Sequence, residues 1–140
     1  MVAILYLITL ALTLPFFWAL VIIGGNPLTV QNVAVTNVAG AAHERFRAGE
    51  VAVVRRTVCS RSHVGAEFFP ALRGPDGVLF PLPGGYSQVS DGCRPSAYGF
   101  IVPALPPGRY TYSNMVKFQN NLIGRDEHTS FPPLTIEVAP

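Results

Sequence analysis

The sequence predicts an all-β fold: an antiparallel β-sandwich of about seven strands, preceded by one apolar helix. Three observations predict it. The chain has 140 residues, 13 of them Gly and 13 Pro, spread without a triplet repeat; this disfavours long helices beyond the first segment and excludes collagen. Short runs rich in Val, Thr and aromatic residues recur between Gly, Pro, Asn and Asp. Residues 2–23 carry no charge, and the first charged side chain is Glu44. Charged residues make up 13% and hydrophobic residues 49%, which argues against a disordered chain and a charged coiled coil. A net charge of +2 is too small for a nucleic-acid footprint, so no nucleic-acid partner is expected.

The first element is residues 2–23, VAILYLITLALTLPFFWALVII. As a helix it would reach about 33 Å, enough for a hydrocarbon core of ~30 Å. Residues 1–23 are therefore expected to be a transmembrane anchor, with the lipid bilayer as partner through residues 2–23. Pro15 removes one backbone hydrogen bond, and Thr13 is close enough to re-satisfy the freed carbonyl. A cleaved signal peptide would have a shorter apolar run after positive charge and a small-x-small site. Here no Lys or Arg precedes the run, and Val38-Ala39-Gly40 lies far downstream. A soluble buried helix is the other alternative.

Residues 24–27, Gly-Gly-Asn-Pro, form a breaker and short linker. Residues 28–140 are the expected sandwich domain. Its first strand, Leu28 to Val38, slips in apolar phase near Asn32, which suggests a bulge. Glu50 to Cys59, Val64 to Leu72, Gly77 to Leu82 and Tyr98 to Val102 supply four more strands. In the sixth, Tyr110, Tyr112, Val116 and Phe118 fall on one face; Arg109, Thr111, Ser113 and Lys117 fall on the other. Leu134 to Val138 alternates in the same way and makes the seventh.

Cys59 and Cys93 are the only cysteines. An even pair in a small loop-rich domain suits a disulfide in an oxidising compartment; two separate buried thiols are the alternative. No Lys or Arg precedes Arg45, so the positive-inside rule is nearly silent and the cysteines set the topology. The expected location is a bacterial inner membrane with the C-terminal domain periplasmic.

Chemistry is sparse. Ser60, Ser62 and His63 sit beside Cys59, and Asp91 lies near Cys93. A Ser-His-Asp arrangement needs geometry that sequence does not carry, and polar loop residues beside a cystine are the simpler reading. A Cys59 or Cys93 nucleophile would be consumed by the disulfide. Cys59, His63 and Cys93 with His43 or His128 match zinc spacing poorly. Asp126 and Glu127 lack a calcium-loop pattern, and Gly84-Gly85 reads as a hairpin turn. No catalytic residue, cofactor or metal is expected. Arg45, Arg47, Arg55 and Arg56 face either lipid headgroups or solvent on a β face. The polar loop 119–130 offers Gln119, Asn120, Asn121, Arg125 and Asp126 as a candidate binding loop, with an ordinary connector as the alternative.

The phrase Leu105-Pro106-Pro107-Gly108-Arg109-Tyr110-Thr111-Tyr112 resembles the turn-into-strand of immunoglobulin-like and fibronectin-III-like domains. By pattern the resemblance covers residues 28–140. It does not extend to an intersheet disulfide, because Cys93 falls in an expected loop and no core Trp is present. The wider layout is similar to small single-span membrane proteins encoded by tailed bacteriophages and prophages. Its parts are the leading span, Phe46-Arg47-Ala48-Gly49-Glu50, Val58-Cys59, Gly92-Cys93, Leu105 to Tyr110 and Phe118-Gln119-Asn120-Asn121-Leu122. That resemblance implies an origin and a place, not a mechanism. The expected function is a non-catalytic, membrane-anchored extracytoplasmic interaction module: a phage-encoded envelope factor, such as a lysis or exclusion accessory. Its partner would be another envelope or virion protein, or a second copy through the span. A virion structural component with its apolar segment packed in the particle is one alternative. A small envelope hydrolase using the Ser/His/Asp groups is the other.

Overall fold

The computed structural model describes residues 2–21 and 24–140, with side chains in the helix over 2–18. Helix α1 (Val2–Val21) is apolar on every side, and each described side chain in it is exposed. Its Thr hydroxyls turn back onto the helix: Thr9 Oγ1 donates to the Leu5 carbonyl at 2.8 Å, and Thr13 Oγ1 to the Thr9 carbonyl at 2.9 Å. Thr13 thus serves the turn below it and not the Ala11 carbonyl, whose usual donor Pro15 lacks. Among the described residues no helix is long and apolar enough to cross a membrane. The described side chains span only about 26 Å of helix. Ile22 and Ile23, the end of the expected span, lie outside the described residues.

Ten strands follow among the described residues: β1 (Leu28–Thr36), β2 (Arg45–Phe46), β3 (Val51–Ser60), β4 (Val64–Arg73), β5 (Leu79–Pro81), β6 (Gly85–Val89), β7 (Gly92–Ile101), β8 (Gly108–Phe118), β9 (Glu127–Ser130) and β10 (Leu134–Val138). All seven expected strands are present. The three unforeseen ones, β2, β6 and β9, have two to five residues, too few for a period-two pattern to stand out. Strand β7 begins at Gly92 rather than Tyr98, so Cys93 lies in a strand and not in a loop. Pairing with β3 carries this Pro- and Ser-containing stretch, whose own β propensity is low.

One sheet runs β1-β3-β7. The other runs β2-β10-β8-β4-β5, with β6 also on β4 and β9 also on β8. The bulge in β1 falls where the phase slips: register breaks between Gln31 and Ala34, and Asn32 takes φ 54°. Asn tolerates that left-handed conformation better than other L residues. Gly84-Gly85 is not a hairpin turn. β5 and β6 both lie antiparallel along β4, and Leu82 N–H donates to the Pro70 carbonyl between them. The pair is one edge strand broken by Pro81 and Pro83; a side chain at Gly84 would collide with the Phe68 carbonyl.

Inward-facing residues form two apolar clusters. One contains Phe46, Ala52, Val54, Leu72, Phe100, Tyr112 and Ile136 among others; the other contains Leu28, Val58, Val64, Ala66, Val116, Phe118 and Phe131. The second lies at the end where the chain enters from Pro27. The first lies at the opposite end, with Thr36, Val51 and Val138.

Candidate functional site

The two clusters are separated by a polar layer, and alternation along the strands creates it. Ala52, Val54, Arg56, Val58 and Ser60 are the buried positions of β3. Tyr110, Tyr112, Asn114, Val116 and Phe118 are those of β8. Arg56 and Asn114 therefore occupy core positions, at 8% and 2% exposure. Both line a cavity of about 380 Å³ that opens between the edge strands β7 and β6. Val58, Phe68 and Pro70 make it partly apolar, and Arg94 also lines it.

The Arg56 guanidinium packs over the Phe131 ring, 4.7 Å from its centroid. Arg56 Nε and Asn114 Oδ1 are buried without a hydrogen-bond partner, and the Tyr112 hydroxyl lies against the same two side chains. Among the described residues no carboxylate pairs with Arg56. Burial raises the Tyr112 pKa, against the opposing influences of the Arg56 charge and of hydrogen bonding from the Arg56 and Asn114 side chains. Tyr98 is pushed up to about 12, first by burial and then by Tyr112, with Arg56 again opposing. The Tyr98 hydroxyl donates to the Pro83 carbonyl at 2.7 Å, linking β7 to the β5–β6 connection across the edge of the cleft.

The basic residues Arg45, Arg47, Arg55 and Arg56 do not share one face. Arg45 pairs with Glu137 at 3.4 Å, and Arg55 Nε donates to Thr36 Oγ1 at 3.2 Å. Arg56 points into the sandwich, so neither a headgroup-facing nor a solvated position describes it. Arg45 and Arg47 lie at the end away from the linker, about 30 Å along β3 from it.

The Ser and His candidates are near each other in sequence without forming a relay. Ser60 Oγ donates to the Ser62 carbonyl at 2.6 Å, and Ser62 Oγ to Asn120 Oδ1 at 3.3 Å, so neither hydroxyl is directed at His63. Cys59 and Cys93 are joined in a disulfide between directly opposed residues of β3 and β7, with Cα atoms 3.9 Å apart. The cystine therefore lies within one sheet and joins two strands, where the sequence alone predicts Cys93 in a loop. Among the described residues no group of three or more His, Cys, Asp or Glu is placed to hold a metal.

Four of the five polar residues of the candidate binding loop pair with one another, and Asn120 turns to the linker and Ser62. Gln119 Nε2 donates to Asp126 Oδ1 at 2.8 Å. Asn121 exchanges two hydrogen bonds with the Arg125 backbone, at 2.7 and 2.8 Å. Asn120 Nδ2 donates to the Gly25 carbonyl at 2.9 Å, which ties the loop to the linker. Gly24, with φ +68°, leaves room there; a Cβ would strike the Asn120 carbonyl. The polar groups thus shape the loop, and it presents Leu122 and Ile123 outward, at 78% and 59% exposure.

Strand order and one hydrogen bond define the class. β1, β3 and β7 stand together as the A, B and E strands of an immunoglobulin-like sandwich do, and β4, β8 and β10 as C, F and G. The Tyr110 hydroxyl donates to the Pro106 carbonyl at 2.8 Å, the back-bond of a tyrosine corner at the start of the F strand. The domain is an all-β sandwich of two sheets. Comparison with solved structures agrees: the chain is similar to the C-terminal domain of wzt, with a TM-score of 0.58 and 14% identity over 84% of this chain and 76% of that one. It is also similar to part of the Pseudomonas fluorescens alkylpurine DNA glycosylase AlkC, with a TM-score of 0.50 and 12% identity over 83% of this chain and 31% of that one. The CARDB domain of a Pyrococcus furiosus protein, in complex with di-metal ions, matches with a TM-score of 0.49 and 10% identity over 86% of this chain and 93% of that one. At these identities the likeness is one of fold. No family model matches the sequence, and no curated protein does.

Proposed function

We propose that the chain is a non-catalytic, membrane-anchored extracytoplasmic interaction module, a phage-encoded envelope factor whose sandwich stands on a bilayer. The observation that carries this reading is helix α1, apolar all round and exposed at every described side chain. Such a surface left in water is unfavourable at roughly 25 cal/mol for each Å². A bilayer relieves that exposure, because the charge-free sequence continues to residue 23. The cystine supports an oxidising compartment. On this reading the loop tied to Gly25 faces the membrane end, and Leu122 and Ile123 are the apolar contact it offers to a partner in the same envelope.

The test uses the full chain in cells. Retention in the membrane pellet after alkaline carbonate is expected, with a reporter fused after Pro140 active only outside the cytoplasm. A photo-crosslinking residue at Leu122 should capture an envelope or virion protein. Release by carbonate overturns the anchor; cytoplasmic reporter activity overturns the orientation. Strong anchoring with no Leu122 adduct removes the loop from the contact.

A further inference from the structure

We propose that the cavity between β7 and β6 is a binding site for a small hydroxylated monocarboxylate, held by Arg56 and Asn114. This inference is independent of the membrane reading. It rests on three features of the cavity. The first is a permanently charged side chain at a core position. Arg does not shed its proton, so desolvating it without an anion is strongly unfavourable. Arg56 is 8% exposed, its Nε is unpartnered, and no described carboxylate pairs with it. Phe131 stacks on the guanidinium and leaves its hydrogen-bonding edge without a protein acceptor at Nε.

The second feature is Asn114 Oδ1, an acceptor buried in the same cavity and equally unpartnered. A hydroxyl beside the carboxylate supplies the missing donor. Two complementary orphans in one cavity specify an anion and a donor on the same molecule. The third feature is the lining. Val58, Phe68 and Pro70 suit a carbon skeleton, and no Asp or Glu lines the space. One buried guanidinium matches one negative charge; a phosphate dianion would bring a second, unpaired charge into a partly apolar pocket. Arg94, exposed at the mouth, attracts anions without fixing their charge.

The experiment uses the full chain in detergent micelles, with calorimetric titration and thermal shift. Lactate and gluconate are the probes; glucose, inorganic phosphate and chloride are the comparisons. Binding of both carboxylates is expected, with glucose silent, and with phosphate and chloride at least tenfold weaker. Arg56→Met should weaken carboxylate binding at least tenfold, the loss expected for one charge-assisted hydrogen bond. Arg94→Met should weaken it less. Asn114→Asp is the second variant: it sets a carboxylate beside Arg56 in nearly the same volume. It should raise the thermal midpoint and abolish the ligand-induced shift together. The proposal is overturned if neither carboxylate binds at millimolar concentration, or if phosphate, chloride or glucose binds as well. It is also overturned if folded Arg56→Met or Asn114→Asp binds the carboxylates like the parent chain.

Discussion

The two ends of the sandwich are built by the same strands and behave differently. β3 gives Ala52 and Val54 to the far cluster and Val58 to the cluster near the linker; β8 gives Tyr110 and Tyr112 to one and Val116 and Phe118 to the other. The far cluster is larger, and parallel pairing of β2 with β10 brings Phe46 over it. The near cluster is smaller and bounded by the Arg56–Asn114 layer on one side and the linker on the other. A continuous apolar alternation would have made one core. A single guanidinium in β3 divides it, and the cleft is the result.

Four measurements sharpen or break this contrast. Leu72→Ala in the far cluster should cost about 4 kcal/mol, and Leu28→Ala, on the first residue of an edge strand, about 2. Chemical denaturation reads both, and equal losses would mean the ends are packed alike. Removing the cystine with Cys59→Ala and Cys93→Ala should cost about 3–4 kcal/mol through the 34-residue closure, with hydrogen exchange rising first along β7 and the near end. Arg56→Met should stabilise the chain by about 1–3 kcal/mol, because an apolar side chain joins the two clusters. A loss of stability there would show that the layer is structural.

The smallest effect is alkaline. The Tyr98 pKa is raised to about 12, above its unfolded value near 10. The native state then holds the proton longer than the unfolded state. Stability from this group is full below pH ~10 and falls as the pH rises towards 12. Tyr98→Phe should flatten that part of the stability profile, followed by denaturation at stepped pH.

Much of the fold was legible in the sequence, for a local reason. Every expected strand owes its pattern to its own residues: Leu134 to Val138 alternates over its whole length, and the Asn32 bulge announces itself as a phase slip. What was missed depends on partners. β6 exists because β4 offers an edge, and β9 because β8 does; neither carries a pattern of its own. The cleft was written in the alternation and passed over. Arg56 stands two residues from both Val54 and Val58, and Asn114 two from both Tyr112 and Val116. A polar residue at an inward position is the signal, and grouping Arg56 with its neighbours Arg45, Arg47 and Arg55 by charge obscured it. The loop 119–126 was legible as a unit. That Asn120 bonds inward depends on Gly25 and Ser62, more than fifty residues away.

The edges of the two sheets carry a further consequence. β1 is bent by its bulge at Asn32, β2 has two residues, β7 contains Pro95, and the β5–β6 edge is interrupted by Pro81 and Pro83. Each device spoils an open ladder of backbone donors and acceptors. Interrupted borders of this kind are poor templates for edge-to-edge pairing between neighbouring copies.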